Sequence, residues 1–442
     1  MSRKPPDTPP PVSFSSSDRK LFELNLKVIT PMFGGSAEAG VVDPVRPVSA
    51  KSIRGHLRFW WRACMAGKFN SPAQLFEAEE LIWGSTDTPS AVDVDVSVIS
   101  PGREIACAHF RNNRNGVYGG VPQFNSDCPG YALFPFQGER PGGGGPDLPT
   151  ALAREGVEFR LTIRRSGSAP TGEMAGTLES EIRPALWAWI VFGGIGARTR
   201  RGCGSLWCKS GWVFDKWPTG KEDLVAQWAS FGLTELPAKL SFPAIKSSSI
   251  VLGTGKLEAN RAWCTAVNLM REFRQGDHVG RTPVQGRSLW PEPDSIRRVT
   301  THKREHPPEH QAEDYYPRAD LGMPIIIQFK RDDMRDGDPD PHTLQGGGAQ
   351  QRRMASPIIT KAFPISETQA VPLLVQLNAP HVWDEASPGV KLNNTPLSVR
   401  QLSDKGKSAL VQPLNNEGMT SARTAFMKFA KGRLGGAEGA NL

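Results

Sequence analysis

The sequence predicts an α+β fold whose first half runs β, α, β, β, α, β. Two observations carry this. Apolar and polar residues alternate at 21–30 (LFELNLKVIT) and 92–99 (VDVDVSVI), as half-buried strands require. Elsewhere apolar residues recur every three to four positions, as they do on the buried stripe of a helix. The order is that of the ferredoxin-like split βαβ arrangement, which is also the frame of RNA recognition motifs.

The elements follow in order. The first strand is 21–30, and 31–47 is a Gly-containing loop. Ser52 is placed to cap a helix over 53–66. Leu57, Trp60, Trp61, Cys64 and Met65 form its core stripe. The second strand is 92–99. Residues 100–150 read as an irregular insertion ending in the linker-like PGGGGP at 141–146. A strand at 157–165 and a helix at 178–192 come next, with Pro184 near the first turn, where proline is tolerated. After a glycine loop, 205–209 closes the unit. Further strands are expected at 247–252, 324–330, 354–363 and 371–378. Helices are expected at 258–274, near Asp294 and at 420–431, with charged loop over 275–320. These fit a second, degenerate copy of the same fold. The predicted organisation is a disordered Pro/Ser-rich arm (1–19), a first domain (20–215, insertion about 100–150) and a second domain (240–442).

Composition narrows the function. The 442 residues carry 53 Lys plus Arg against 45 acids, a net charge of +8, and the bases divide into 34 Arg and 19 Lys. The sign favours an anionic partner. Arginine forks onto phosphate and stacks on bases, which suits RNA, although a genome rich in Arg codons gives the same bias. Cysteines at 64, 107, 128, 203, 208 and 264 show no CxxC spacing, which disfavours a zinc ribbon or redox motif. The N-terminus has no apolar signal region and no run of about 18 apolar residues occurs. A soluble, cytoplasmic protein with reduced thiols is expected.

The sharpest motif is GGIGARTRRGCGSL at 193–206. Gly194, Gly196, Gly202 and Gly204 let a backbone approach a partner closely, and Arg198, Arg200 and Arg201 supply planar cationic forks. An exposed loop of this kind suits a sugar–phosphate backbone; a tight structural turn with solvated arginines is the plainer alternative. It is neither GxGxxG nor a Walker sequence, so no nucleotide cofactor is expected. The second motif is the helix KSIRGHLRFWWRACM. Arg54, Arg58 and Arg62 recur every four residues, and with Lys51 and the free N–H groups at the helix start they form a candidate anion site. Phe59 lies off the core stripe and is available to stack on a base or a neighbouring subunit. His302, His306 and His310 have a metal-like spacing, but Pro307 and Pro308 interrupt any helix aligning them, so no metal site is expected.

The pieces VITPMFGG, SIRGHLRFWWRA, GARTRRGCGSL, GRSLWPEPDSIR, YYPRADLGMPI and RMASPII, in order over roughly 22–360, resemble the RAMP superfamily of CRISPR proteins. Within it they are most similar to the first-subunit family of the type III-B effector, the Cmr complex. The resemblance implies two ferredoxin-like (RRM-like) domains with insertions. It implies a place near the 3′ region of the CRISPR RNA, contact with guide and target RNA, and neighbouring RAMP subunits as partners. It adds Arg287, in GRSLWPEPDSIR, as an RNA contact. Another subunit cuts the target in that family, so no catalysis is expected here. Some RAMP relatives cleave RNA with a histidine on the first helix. His56 therefore keeps a metal-independent endoribonuclease that processes guide precursor as the alternative. No second histidine or Tyr–Lys arrangement stands at workable spacing, so His56 is expected to be an RNA contact.

Overall fold

The computed structural model describes residues 19–34, 41–109, 123–136, 150–167, 173–233, 242–282, 287–301, 306–310, 315–329, 337–348, 353–385, 387–399, 401, 414–415, 419, 421–435 and 440–441. Most of the arm, the PGGGGP stretch and much of the tail after 400 lie outside these residues.

The first half contains β1 (Lys20–Val28), α1 (Ala50–Met65), α2 (Pro72–Trp83), β2 (Val92–Ser100), β3 (Arg103–His109), β4 (Gln123–Phe124), α3 (Gly130–Leu133), β5 (Thr150–Glu155), β6 (Glu158–Arg165), α4 (Glu173–Phe192), β7 (Leu206–Ser210) and α5 (Lys221–Ser230). Its main sheet is antiparallel in the order β2-β6-β1-β7. The alternation read in the sequence puts Leu24, Leu26 and Val28 of β1 and Phe159, Leu161 and Ile163 of β6 on the inner face, all buried. The α1 stripe is buried as its periodicity requires: Leu57, Trp60, Trp61, Cys64 and Met65 all pack into this core. Against them lies α4, whose Phe192 ring sits 6.1 Å from that of Trp60.

The second half contains β8 (Ala244–Leu252), α6 (Ala259–Gln275), α7 (Glu292–Thr300), β9 (Ile325–Ile327), β10 (His342–Gly346), β11 (Ile358–Pro364), β12 (Ala370–Asn378), β13 (Val390–Leu392), β14 (Thr395–Leu397), α8 (Ala422–Arg433) and β15 (Ala440–Asn441). Its main sheet runs β11-β12-β8-β15, again antiparallel. Taken in chain order, these four strands occupy the same places as β2, β6, β1 and β7. Two smaller sheets, β4-β3-β5 and β14-β13-β10-β9, are built from segments inserted between these elements.

The structure corrects four expectations. The insertion at 100–150 is not wholly irregular, because β3 pairs with both β4 and β5. The α1 cap is Ser49, whose hydroxyl accepts from the Ser52 N–H, rather than Ser52 itself. Helix α4 begins at Glu173, so Pro184 stands in its middle and not near its first turn. Helix α2 was not expected at all. Ser71 caps it, Pro72 opens it and Gly84 closes it with φ 71°, yet its inward positions include the charged Glu79, which breaks the apolar pattern. Among the described residues no helix is long and apolar enough to cross a membrane.

Candidate nucleic-acid interface

The basic ridge of α1 faces α2. Arg54 donates to the Trp83 carbonyl, Arg58 to Glu79 and to the Gly84 carbonyl at 3.1 Å, and Arg62 to Glu79. Glu79 is 1% exposed, so its carboxylate needs both guanidiniums to be tolerated there. The ridge is therefore largely occupied in holding α2, and Lys51 is its exposed cation. His56 lies parallel to Trp189 of α4 at 6.3 Å, and burial lowers its pKa, which favours the neutral ring. Phe59 is overlain by the Arg200 guanidinium at 5.2 Å and meets the Trp60 ring edge-on at 5.1 Å, so the glycine loop already occupies one side of its ring.

The glycine loop is half-buried, not exposed as expected, and its close partner is the second half of the chain. Arg200 donates to the Ser356 carbonyl, Arg201 donates to the Ile358 carbonyl at 3.0 Å, and Trp263 of α6 donates to the Arg201 carbonyl. These arginines satisfy the outer edge of β11, the terminal strand of its sheet. Gly202 adopts φ +78°, and a Cβ there would stand 2.6 Å from Trp263 and 2.8 Å from the backbone of Lys361. Gly204 (φ +65°) would put one 1.9 Å from the Ile195 carbonyl. Gly196 lies on Phe33 of the FGG segment, and Gly194 lies on Gly204. Burial pulls Arg200 and Arg201 down to about 10. The joint also contains Lys361 of β11, 0% exposed, which donates to the Gly193 carbonyl at 2.7 Å and the Ile190 carbonyl at 3.4 Å. Both acceptors belong to the C-terminus of α4, where free carbonyls and the helix dipole favour a cation. Burial nevertheless draws Lys361 down to about 7.

The loop also carries a donor that the protein leaves unsatisfied. Arg198, at φ 57°, has a buried Nε without a hydrogen-bond partner. Arg198, Arg200 and Arg274 all depress Arg201 by like-charge repulsion, and Tyr131 lies within electrostatic range of Arg198, Arg201 and Arg318. Arg318 interacts with Arg274, stacks over Trp290 at 5.5 Å, and reaches Glu292 at 3.2 Å. Arg198, Arg201 and Arg318, from both halves of the chain, thus lie within electrostatic range of Tyr131, and Arg274 within range of Arg201 and Arg318. Among the described residues Glu292 is the one carboxylate with a resolved influence on them. Such a group suits an anion with oxygens to share among planar forks. Sequence reasoning singled out Arg198 and Arg201 but missed Arg274, Arg318 and Tyr131. The visible signal was the YYPRADLG stretch, which contains Arg318.

Arg287 lies elsewhere, donating to the Pro307 carbonyl at 2.7 Å and pairing with Glu309 at 3.2 Å. His302 falls outside the described residues. His306 Nδ1 stands 2.9 Å from Asp338, and His310 Nε2 stands 3.3 Å from the Ser288 carbonyl. Among the described residues no three His, Cys, Asp or Glu side chains are placed to hold a metal ion.

Comparison with known proteins adds a lineage. Residues 25–207 match the RAMP superfamily. The CRISPR system Cmr subunit Cmr1-2 of Pyrococcus furiosus is 29% identical over 187 residues, which is 41% of this chain and 92% of that protein. Subunit Cmr1-1 of the same organism is 29% identical over 162 residues, 36% of this chain and 40% of that protein. Among solved structures, apo Cmr1 from Pyrococcus furiosus aligns with a TM-score of 0.45 and 17% identity, covering 84% of this chain and 93% of that one. A chain of the type III-B Cmr-beta complex bound to cognate target RNA aligns with a TM-score of 0.45 and 13% identity, covering 84% and 96%. Residues 25–207 thus match the RAMP superfamily, and the chain is similar over 36–41% of its length to the Cmr1 subunits of Pyrococcus furiosus.

Proposed function

We propose that this chain is a non-catalytic RNA-binding subunit of a type III-B CRISPR effector. In this proposal it contacts the 3′ region of the CRISPR RNA and the paired target RNA beside other RAMP subunits. We further propose that it consists of two ferredoxin-like domains, 20–215 and 240–442. The repeated strand order of the two main sheets supports the second point. Homology to Cmr subunits supports the first.

The observation that carries the RNA reading is the surplus of arginine round Tyr131. Like charges brought together under partial burial are costly unless an anion completes them. Phosphate is the anion whose geometry the guanidinium fork fits bidentately. Among the described residues no acid or base pairs with His56, whose ring lies against Trp189. The test is to mix the purified chain with labelled single-stranded guide RNA over a range of salt. Shifted, uncut bands are expected, with affinity falling by a log–log slope of about −0.7 per phosphate contacted. Salt-independent affinity would remove the phosphate contacts. Discrete fragments that vanish in His56→Ala would establish the endoribonuclease instead.

A further inference from the structure

The short 3-10 helix Pro317–Leu321, in the YYPRADLG stretch, serves two places at once. Arg318 belongs to the arginine group round Tyr131. Two residues on, Asp320 is 1% exposed and holds Arg423, itself 2% exposed, through Oδ1 at 2.6 Å. Arg423 also donates to the backbone carbonyls of Asp320 at 3.0 Å, Ala379 at 2.6 Å and Pro380 at 2.7 Å. Burying two charges is expensive, and every bond they make fixes the path of residues 379–382.

That segment presents His381. Its Nδ1 stands 2.8 Å from Asp320 Oδ2, and its backbone N–H donates to Asp384 at 2.7 Å. Its ring lies parallel to Trp383, with centroids 4.5 Å apart and planes 5° from each other. The side chain keeps 32% exposure. A histidine needed only for packing has no use for a buried Asp–Arg pair behind it; one whose ring plane must be held at the surface does.

We propose that His381 and Trp383 form a shelf on which one unpaired base of a single-stranded RNA stacks, braced by the same 3-10 helix, Pro317–Leu321, that carries Arg318. The inference rests on the RNA-binding proposal and adds to it a second contact of different chemistry. A base, rather than a phosphate, fits the shelf. The exposed residues that follow, Asp384 and Glu385, are acids, which repel phosphate, whereas base stacking needs only an aromatic face.

The test uses the full chain and a set of single-stranded RNAs, each lacking one base. Wild-type protein should show a loss of about tenfold at one position, the size of a lost stacking contact. In Trp383→Ala and His381→Ala the intact RNA should bind about tenfold more weakly and the positional penalty should vanish. His381→Phe keeps an aromatic face but loses the bond to Asp320, so it should bind the intact RNA more tightly than His381→Ala and more weakly than wild type. The salt slope should be unchanged, because no phosphate contact is removed. Trp383 also packs in the core of the β14-β13-β10-β9 sheet, so if its variant melts early the His381→Ala and His381→Phe pair decides. The shelf is overturned if folded variants bind as wild type with the positional penalty intact. If Arg198→Ala/Arg274→Ala abolishes binding in that same assay, only the shelf is lost. If wild-type protein binds no RNA, both proposals fall. Weaker recruitment of another subunit with normal RNA binding would assign the pair to a protein contact and overturn the shelf.

Discussion

The outer face of the first sheet and the arginine group round Tyr131 carry similar numbers of cations to opposite effect. On the sheet face Lys27 and Lys209 are both paired with Glu158 and Glu367, Arg164 with Asp95, and Arg160 with the Asn25 amide. Each base has an acid or amide across the register, so the face is nearly neutral and its potential short-ranged. In the arginine group round Tyr131, among the described residues, Arg318 pairs with Glu292 and no carboxylate pairs with Arg198, Arg201 or Arg274. Charge count therefore says little about where an anion binds; charge left uncompensated says more. RNA recognition motifs stack bases on aromatics of this sheet face. Here the two central strands present Glu23, Asn25, Arg160 and Thr162 instead.

The largest effect expected from this contrast is on the arginine group. Arg198→Ala/Arg274→Ala should weaken single-stranded RNA binding by about 100-fold, from two charge-assisted contacts of about 1.5 kcal/mol each, and should flatten the salt slope by about 1.4. Among the described residues neither side chain makes a hydrogen bond, and the backbone carbonyls that accept from Arg201 and Trp290 are kept in alanine, so the melting temperature should hold. A wild-type affinity would move the RNA off this group. Arg200 and Arg201 are poorer probes, since removing them also orphans the edge carbonyls of Ser356 and Ile358.

Glu79→Ala comes next. It strips the buried carboxylate from Arg58 and Arg62 and should destabilise the protein by about 1–3 kcal/mol in denaturant unfolding. Both arginines are about one-third exposed, which places the cost below that of a fully buried pair. An unchanged stability together with tighter RNA binding would show that the α1 ridge is a second anion site held in reserve.

Lys361 sharpens the comparison by pH. Its folded pKa, about 7, is depressed from 10.5, so the unfolded chain binds more protons between those values. Stability should therefore rise as pH increases from about 7 towards 10, at up to about 1.4 kcal/mol per pH unit, and level off above. Lys361→Met should remove that part of the slope. Chemical denaturation of both proteins at pH 7 and pH 9 gives the difference; parallel profiles would mean that the helix-end carbonyls keep Lys361 charged throughout.

How much of this was legible in the sequence depends on the range of the interaction. The α1 stripe and the β1 alternation were legible because the period repeats within one element. The α1 ridge was legible as a row of charges but not as a clamp, because Glu79 comes 17 residues after Arg62 on a helix whose own pattern it breaks. The glycine loop was recognised by composition, yet its arginines bond to carbonyls 156 and 157 residues away, which no local pattern encodes. Arg274 and Arg318 were invisible as a pair because two separate elements bring them together.

The smallest effect expected is on the sheet face, and it is the most exacting test of the contrast. Lys27→Ala, Arg160→Ala and Lys209→Ala together remove three positive charges, more than the Arg198→Ala/Arg274→Ala double variant does. If net charge governed RNA binding, this triple variant would lose more affinity and more salt slope than the double variant. If compensation governs it, the loss should stay within about twofold, because exposed pairs of this kind contribute about 0–1 kcal/mol and draw few counterions to release. The triple variant also leaves Glu158 and Glu367 unpaired, which adds local negative potential, so some loss is expected even without contact. A control separates the two. Adding Glu158→Gln and Glu367→Gln restores the local balance and should recover wild-type affinity if the sheet face never touches RNA. A triple variant that binds ten or more times more weakly, unrescued by the glutamines, would place the RNA on the sheet and make the arginines round Tyr131 structural.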